Sequence, residues 1–421
     1  MSGSSVDLVV VGAGAAGLGA ARRASELGLD FVVVEAMPRI GGRAHTTTEP
    51  FGVPWDHGCH WLHSASINPL RALADDYGFR YLRTPVPWHV HLGCRWATAE
   101  EDVEIDSYLD ESFDRIEKAG TAGQDVPFGT VIDRSSRWLA QLEAVVSAEW
   151  GVGIDEASTL DAAAYRDTDE NWPVQDGYGA LLARHADGVP VELSTRVDRI
   201  EWGGRRVTVE TTRGTLDASA VIVTVSTPAL AAGIIAFSPA LPIWKQEAFD
   251  MVPLGNANKI AFRIEGGLDG IEGHTNVLAQ IDETSTISFQ LRPFDTDIAS
   301  GYLSGPICGE LEQAGEAVML DVALTALGSV LGSDVKKRVV ASVCTRWGSE
   351  PTIQGAYAAA RPGFAHRRAD LGQPLADRLF FAGEATSPEF FSTCHGAYLT
   401  GIAAADAVAA VQMKMALKRP A

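Results

Sequence analysis

Cysteine is scarce. Five residues in 421 (Cys59, Cys94, Cys308, Cys344 and Cys394) are odd in number and scattered along the chain. That suits a reducing compartment with free thiols better than a disulfide framework. Basic residues are also few, 34 Lys and Arg against 54 Asp and Glu, for a formal net charge of −20. Such a surface argues against nucleic acid or an anionic membrane as the main partner, although bulk charge says nothing about one pocket. Long apolar runs are missing too. The single extended one, VDLVVVGAGAAGLGAA at 6–21, lacks a basic leader, and glycines interrupt it where a membrane span would be leucine-rich. No other targeting or spanning segment stands out, so a cytoplasmic location is expected.

Two kinds of chemistry are also unsupported. There is no G-x-S-x-G elbow, and Cys394 and His395 are neighbours rather than members of a triad. His57, Cys59, His60 and His63 form one group of metal-ligand types, and His89, His91 and Cys94 a second. Their spacing matches neither C-x-x-C nor H-E-x-x-H, and His89 and His91 alternate as on a strand, so no metal is expected.

What is present is a folded chain, 46% hydrophobic and 21% charged, long enough for two or three interleaved domains. The run at 6–21 makes sense as a strand, a turn and a helix. DLVVVG is short, β-branched and apolar, as a buried parallel strand is. GAGAAG then supplies Gly12, Gly14 and Gly17 in G-x-G-x-x-G spacing. The first glycine permits the tight turn, the second lets backbone approach a pyrophosphate, and the third lets helix pack on strand. The helix, expected over about Ala16–Leu27, offers its positive N-terminus to phosphates. A second strand, DFVVVE, ends at Glu35, eighteen residues after Gly17. A carboxylate there accepts from ribose hydroxyls and disfavours a 2′-phosphate. These features predict a dinucleotide site without separating NAD from FAD. RIGGRAHT (39–46) tips the choice to FAD, two glycines bringing backbone close and Arg43 placing a guanidinium beside the phosphates.

Near the other end, RLFFAG reads as another buried strand with Glu384 at its C-terminal edge, where ligands lie in open α/β sheets. A small-residue helix beginning near His395–Gly396 can direct its N-terminus at a cofactor. Between the ends, residues 191–226 alternate like hairpin strands with turns at Gly203–Gly204 and Arg213–Gly214, and AVIVTVS is apolar enough for the central sheet. The cofactor domain is therefore expected to be assembled from the start, middle and end of the chain.

Five blocks occur in order: VVVGAGAAGLGAARRASELGLDFVVVEAMPRIGGR, DHGCHWLHSASINPL, VPLGNANKIAF, TRWGSEPTIQGAY and LFFAGEATS…STCHGAYLTG. Together they resemble the flavin-dependent amine oxidase family, which includes monoamine oxidases, polyamine oxidases and flavin-type histone lysine demethylases, over most of the chain. The resemblance implies an α/β fold, with a Rossmann-type FAD-binding domain (p-hydroxybenzoate-hydroxylase-like) and an inserted α+β substrate domain. The first would comprise 1–79, 168–239 and 346–421; the second, 80–167 and 240–345.

Carried over residue by residue, the resemblance implies FAD contacts at Gly12, Gly14, Ala15, Ala16, Gly17, Glu35, Ala36, Gly42, Arg43, His60, Trp61, Gly383 and Glu384. It adds the backbone of Val197 against the adenine, and Ser392, Thr393 and Cys394 along the flavin pyrimidine. Lys259, costly just before an apolar strand unless it works, matches the lysine that holds a water at flavin N5. Tyr357 matches one aromatic wall before the flavin. Thr393 stands where monoamine oxidases have the second tyrosine, so the aromatic cage looks incomplete and closer to the polyamine oxidase and demethylase branch. His63 and Thr393 are further substrate-facing positions. Ala356 replaces the cysteine that links FAD covalently, which predicts noncovalent FAD. His63–Ser64 and GAYA depart from the family's HG and GSYS, and leave the substrate open. The implied reaction is oxidation of a small-molecule amine, with O2 as electron acceptor and an imine that hydrolyses. Alternatives are flavin-dependent desaturation, L-amino-acid oxidation (with Arg292 or Arg361 as unassigned carboxylate anchors) and a non-catalytic flavoprotein binding module.

Overall fold

The computed structural model describes residues 5–84, 88–268, 270–282 and 284–417. The apolar run at the start becomes the strand Ser5–Val11, paired in parallel with Phe31–Val34 on one side and Gly214–Val223 on the other. Its β-branched residues need cover on both faces, and both faces are covered. The eight-stranded sheet continues past Phe31–Val34 with Val191–Glu192. On the opposite side Gly214–Val223 does two jobs. Its polar first half pairs antiparallel with Val207–Thr211, while its apolar second half pairs in parallel with Leu379–Phe381. Val197–Glu201 and Ala236–Ser238 complete the edge. Segments from the start, middle and end of the chain thus meet in one sheet.

The helix Ala15–Glu26 packs along the C-terminal helix Cys394–Leu417. Small residues allow this approach: a Cβ on Gly401 would lie 1.9 Å from the Ala16 carbonyl oxygen. Within the C-terminal helix, Cys394–Met415 is long and apolar enough, by length and composition, to cross a membrane. Its Ala404, Ala405 and Val408 are buried in the core shared with Leu8, Val10 and Leu18.

The second sheet has six strands in the order Val339–Cys344, Ala257–Ile264, Ile298–Ser304, Thr286–Leu291, Thr275–Gln280 and Trp88–His91. One face lies under the helices Gly305–Ala314 and Glu316–Leu331 and takes Ile260, Phe262 and Ile264 into a common core. Side chains alternate along a strand, so Lys259 emerges on the opposite face. A helical lobe, Ala99–Thr121, Leu139–Trp150 and Thr159–Ala164, closes the molecule around Ile116, Phe128, Leu142 and Val146. Its first helix opens with a reciprocal cap between Thr98 and Glu101. His89 and His91 do lie on a strand: His89 is exposed, and His91 is buried beside Trp96. Among the described residues no group of three or more His, Cys, Asp or Glu side chains is gathered as a metal would require.

Candidate active site

A cavity of about 1500 Å³ runs from the glycine turn to the second sheet and the helical lobe. That exceeds the ~300–1,000 Å³ of ordinary small-molecule sites and suits a large cofactor with a substrate beside it. Gly12, at φ +104°, begins the turn; Gly17 lies behind it, where a Cβ would sit 1.8 Å from the Gly12 carbonyl oxygen. No side chain caps the helix that follows, so its first N–H groups face the cavity, while Gly14 has nothing within 4 Å of an added Cβ. A cradle with free helix-end donors and open space above a glycine fits the pyrophosphate of FAD.

Glu35 lines this end, but both its oxygens already accept main-chain N–H groups, from Ala13 at 2.6 Å and Met37 at 2.8 Å. Burial raises its pKa, opposed by those two bonds. It therefore braces the glycine turn as well as facing the cavity. Arg43 pairs with the buried Glu384 at 2.8 Å. The other Glu384 oxygen accepts from the main chains of Ala358 and Ser392, at 3.2 and 3.1 Å. One carboxylate thus ties the glycine-arginine loop to two further stretches of the wall.

At the other end, Lys259 Nζ donates to the Asp56 carbonyl oxygen at 3.1 Å. An ammonium has three protons, so two remain for the cavity that Lys259 lines. Burial lowers its pKa to about 8, against the pull of Asp56. Asp56 accepts from the main chains of Tyr178 and Gly179, the first turn of the helix Tyr178–His185, and contacts His60 Nδ1 at 3.2 Å. Burial alone would raise the Asp56 carboxyl; the His60 bond, the positive charges of His60 and Lys259 and the Thr46 bond outweigh it and leave it below its ordinary value. His57 falls to about 4 through burial, then His45 and Lys259. His60 is lowered by burial and by Lys259. The charge of Lys259 thus acts on both imidazoles in the same direction, lowering each.

Its position is fixed from behind. The Lys259 N–H donates to Thr345 Oγ1 at 2.8 Å, and Thr345 donates to Asn258 Oδ1 at 3.1 Å. Asn258 Oδ1 also accepts from the Trp347 N–H, while its amide donates to the buried Glu312 at 2.6 Å. Trp347, expected to pack, does so at the cavity wall, its indole donating to the His57 carbonyl oxygen at 3.1 Å.

Of the positions carried over from the resemblance, all but Gly17 line the cavity: Gly12, Gly14, Ala15, Ala16, Glu35, Ala36, Gly42, Arg43, His60, Trp61, His63, Val197, Lys259, Tyr357, Gly383, Glu384, Ser392, Thr393 and Cys394. His63 Nδ1 is 2.6 Å from Asn171 Oδ1. Two features were missed. Tyr302 brings a second aromatic ring beside Tyr357, its hydroxyl 2.8 Å away, although Thr393 leaves the expected second position without one. Three carboxylates, Glu149, Asp167 and Asp169, share one side of the cavity near Tyr165. Desolvation by the cavity wall, then Asp167 and Asp169, push Glu149 up to about 7, although its side chain is solvent-exposed. Neither feature has a motif. Neither Arg292 nor Arg361 lines the cavity.

Residues 96–409 match the family model described as flavin containing amine oxidoreductase, and residues 10–84 match that of an NAD(P)-binding Rossmann-like domain. The chain is 28% identical over 444 residues to polyamine oxidase 4 of Oryza sativa subsp. japonica, covering 95% of this chain and 88% of that protein. It is 26% identical over 449 residues to lysine-specific histone demethylase 2 of Homo sapiens, covering 96% of this chain but 53% of the demethylase. Among solved structures, cyclohexylamine oxidase from Brevibacterium oxydans IH-35A superposes with a TM-score of 0.80 at 23% identity, covering 97% and 100% of the two chains. A putrescine oxidase redesigned in its cofactor binding gives 0.78 at 21%, covering 96% and 99%. At those identities the two structures speak for the fold.

Proposed function

The chain belongs to the flavin-containing amine oxidoreductases and is an FAD-dependent amine oxidase; on that premise we propose that it binds FAD noncovalently and oxidises a di- or polyamine. The observation that carries the substrate assignment is the acidic side of the cavity. Glu149, Asp167 and Asp169 stand there facing the same space as Lys259 and Tyr357. A second ammonium on the substrate is drawn to such a wall by three carboxylates acting together, each solvent-exposed, so the attraction is cumulative and screened by salt. The polyamine oxidase among the relatives agrees with this reading. An amino acid would bring a carboxylate to the same acids, and Arg292 and Arg361 are not there to receive it.

Bound FAD supplies the redox chemistry, taking a hydride from the carbon next to nitrogen and passing electrons to O2, with peroxide and a hydrolysable imine as products. The protein positions and desolvates. Tyr357 and Tyr302 wall the reacting end, and an apolar enclosure favours the neutral, reactive amine over its ammonium. Lys259 uses its two remaining protons to hold a water at the flavin edge and to lend positive charge to the oxygen reaction. Ser392, Thr393 and Cys394 present main chain at the start of the C-terminal helix, whose dipole favours negative charge on the reduced cofactor. Ala356, with no thiol to offer, supports noncovalent attachment.

The test is anaerobic stopped-flow absorbance of the purified protein against mono-, di- and polyamines and amino acids. Bleaching of the flavin band by di- or polyamines, with recovery and peroxide on admitting air, is the expected result. Faster bleaching by monoamines or amino acids would overturn the substrate assignment.

A further inference from the structure

Tyr302 is named by no motif and by no carried-over position. In the antiparallel pairing of Ala257–Ile264 with Ile298–Ser304 it stands directly opposite Lys259, and it lines the cavity. Residues directly opposite in a sheet share a face, so Tyr302 flanks Lys259. The Tyr302 hydroxyl lies 2.8 Å from that of Tyr357, and the Tyr357 hydroxyl is 2.5 Å from the Ala148 carbonyl oxygen.

The direction of this chain is set by its far end. A carbonyl can only accept, and a phenol has one proton to give. Tyr357 therefore donates to Ala148, and Tyr302 must donate to Tyr357. Burial raises the Tyr302 phenol above its ordinary value, so it keeps the proton it gives. Its oxygen is left with lone pairs that no other donor among the described residues engages. An acceptor, not a donor, faces the reacting end of the cavity.

We propose that the Tyr302 hydroxyl oxygen accepts an N–H of the substrate's reacting amino group, orienting the nitrogen while leaving its lone pair free. This rests on the amine oxidase activity and deepens it. As the C–H bond gives up its hydride, the nitrogen lone pair becomes the second bond of the imine. A donor at this point would tie up the lone pair, whereas an acceptor holds the nitrogen without touching it. Tyr357 acts on the substrate as a wall and on Tyr302 as the group that fixes its polarity.

The test is a double-mutant cycle on the holoenzyme, Tyr302→Phe, Tyr357→Phe and the pair, read as anaerobic flavin reduction. The first probe is 1,4-diaminobutane, replaced by whichever primary amine reduces the wild type fastest. Tyr302→Phe should lower the reduction rate constant over Kd by about 10- to 100-fold, the range of one hydrogen bond to a reacting group. FAD content and thermal midpoint should not change. In Tyr357→Phe the Tyr302 proton loses its acceptor and is free to turn toward the amine lone pair. Removing the Tyr302 hydroxyl on that background should then bring no further loss, or a gain. Multiplying losses in the pair, or a Tyr302→Phe rate within twofold of wild type, would overturn the proposal while leaving the amine oxidase reading intact. A wild type reduced by no amine overturns both.

Discussion

Replacing Asp161 by asparagine removes a charge that fastens the helical lobe to the wall of the active site. Asp161, in the helix Thr159–Ala164, and Arg368 form an ion pair with side chains 2% and 5% exposed. Arg368 Nη2 lies 2.7 Å from Asp161 Oδ2, which also accepts the Ala360 N–H at 3.0 Å. Arg368 reaches on to the Ala358 carbonyl oxygen, where the Ser392 hydroxyl also donates. Removing one partner of a buried pair strands the other charge and costs about 3–5 kcal/mol. For 421 residues the unfolding entropy is about 0.9 kcal/mol/K, which converts that loss to a fall of about 3–6 °C in the thermal midpoint. Because Ala358 and Ser392 both bond to Glu384 beside the cofactor, release of FAD should shift downward as well. Calorimetry and flavin fluorescence on the same holoenzyme samples read both. Replacing the two together, Asp161→Leu with Arg368→Met, should be less damaging than the sum of the single changes, since no unpaired charge remains. A variant within 1 °C of wild type, or strict additivity in the pair, would refute the reasoning.

Lys259→Met should slow the reaction of the reduced enzyme with O2 by about 100-fold, the scale of losing one preorganised charge. In the wild type that reaction should decline as pH rises through about 8, where Lys259 gives up its proton; stopped-flow reoxidation from pH 6 to 10 checks both. Glu149 becomes charged above about 7, so diamine affinity should rise with pH through that region. Glu149→Gln should flatten the rise and raise KM for a diamine by about 10-fold, with little effect on a monoamine of the same length. Two glycine changes should separate folding from cofactor binding. Gly17→Ala drives a Cβ against the Gly12 carbonyl and should unseat the helix, whereas Gly14→Ala meets open space and should keep the apoprotein's midpoint while lowering FAD affinity. Acid precipitation should release the flavin into the supernatant, as Ala356 offers no thiol for a covalent link.

By itself the sequence determined the elements whose causes are local. A β-branched run, three glycines at the right spacing and an acid after a second apolar run specify strand, turn, helix and strand, wherever that unit lies. Lys259, read as lying just before an apolar strand, is instead the third residue of Ala257–Ile264, and the period of two along that strand sets it on the face opposite the buried Ile260 and Phe262. Only the tertiary structure decided what those local pieces would meet. Tyr302 faces Lys259 through a strand register forty-three positions away, and Glu149, Asp167 and Asp169 converge because a helix end and a loop close on the same cavity. Asp56 sits inside the DHGCHWLH block, yet its work as the acceptor for the first turn of Tyr178–His185 lies more than a hundred residues on. Backbone propensity and side-chain period act over a few residues, whereas register and convergence follow from which faces must be buried together, and no single segment contains that information.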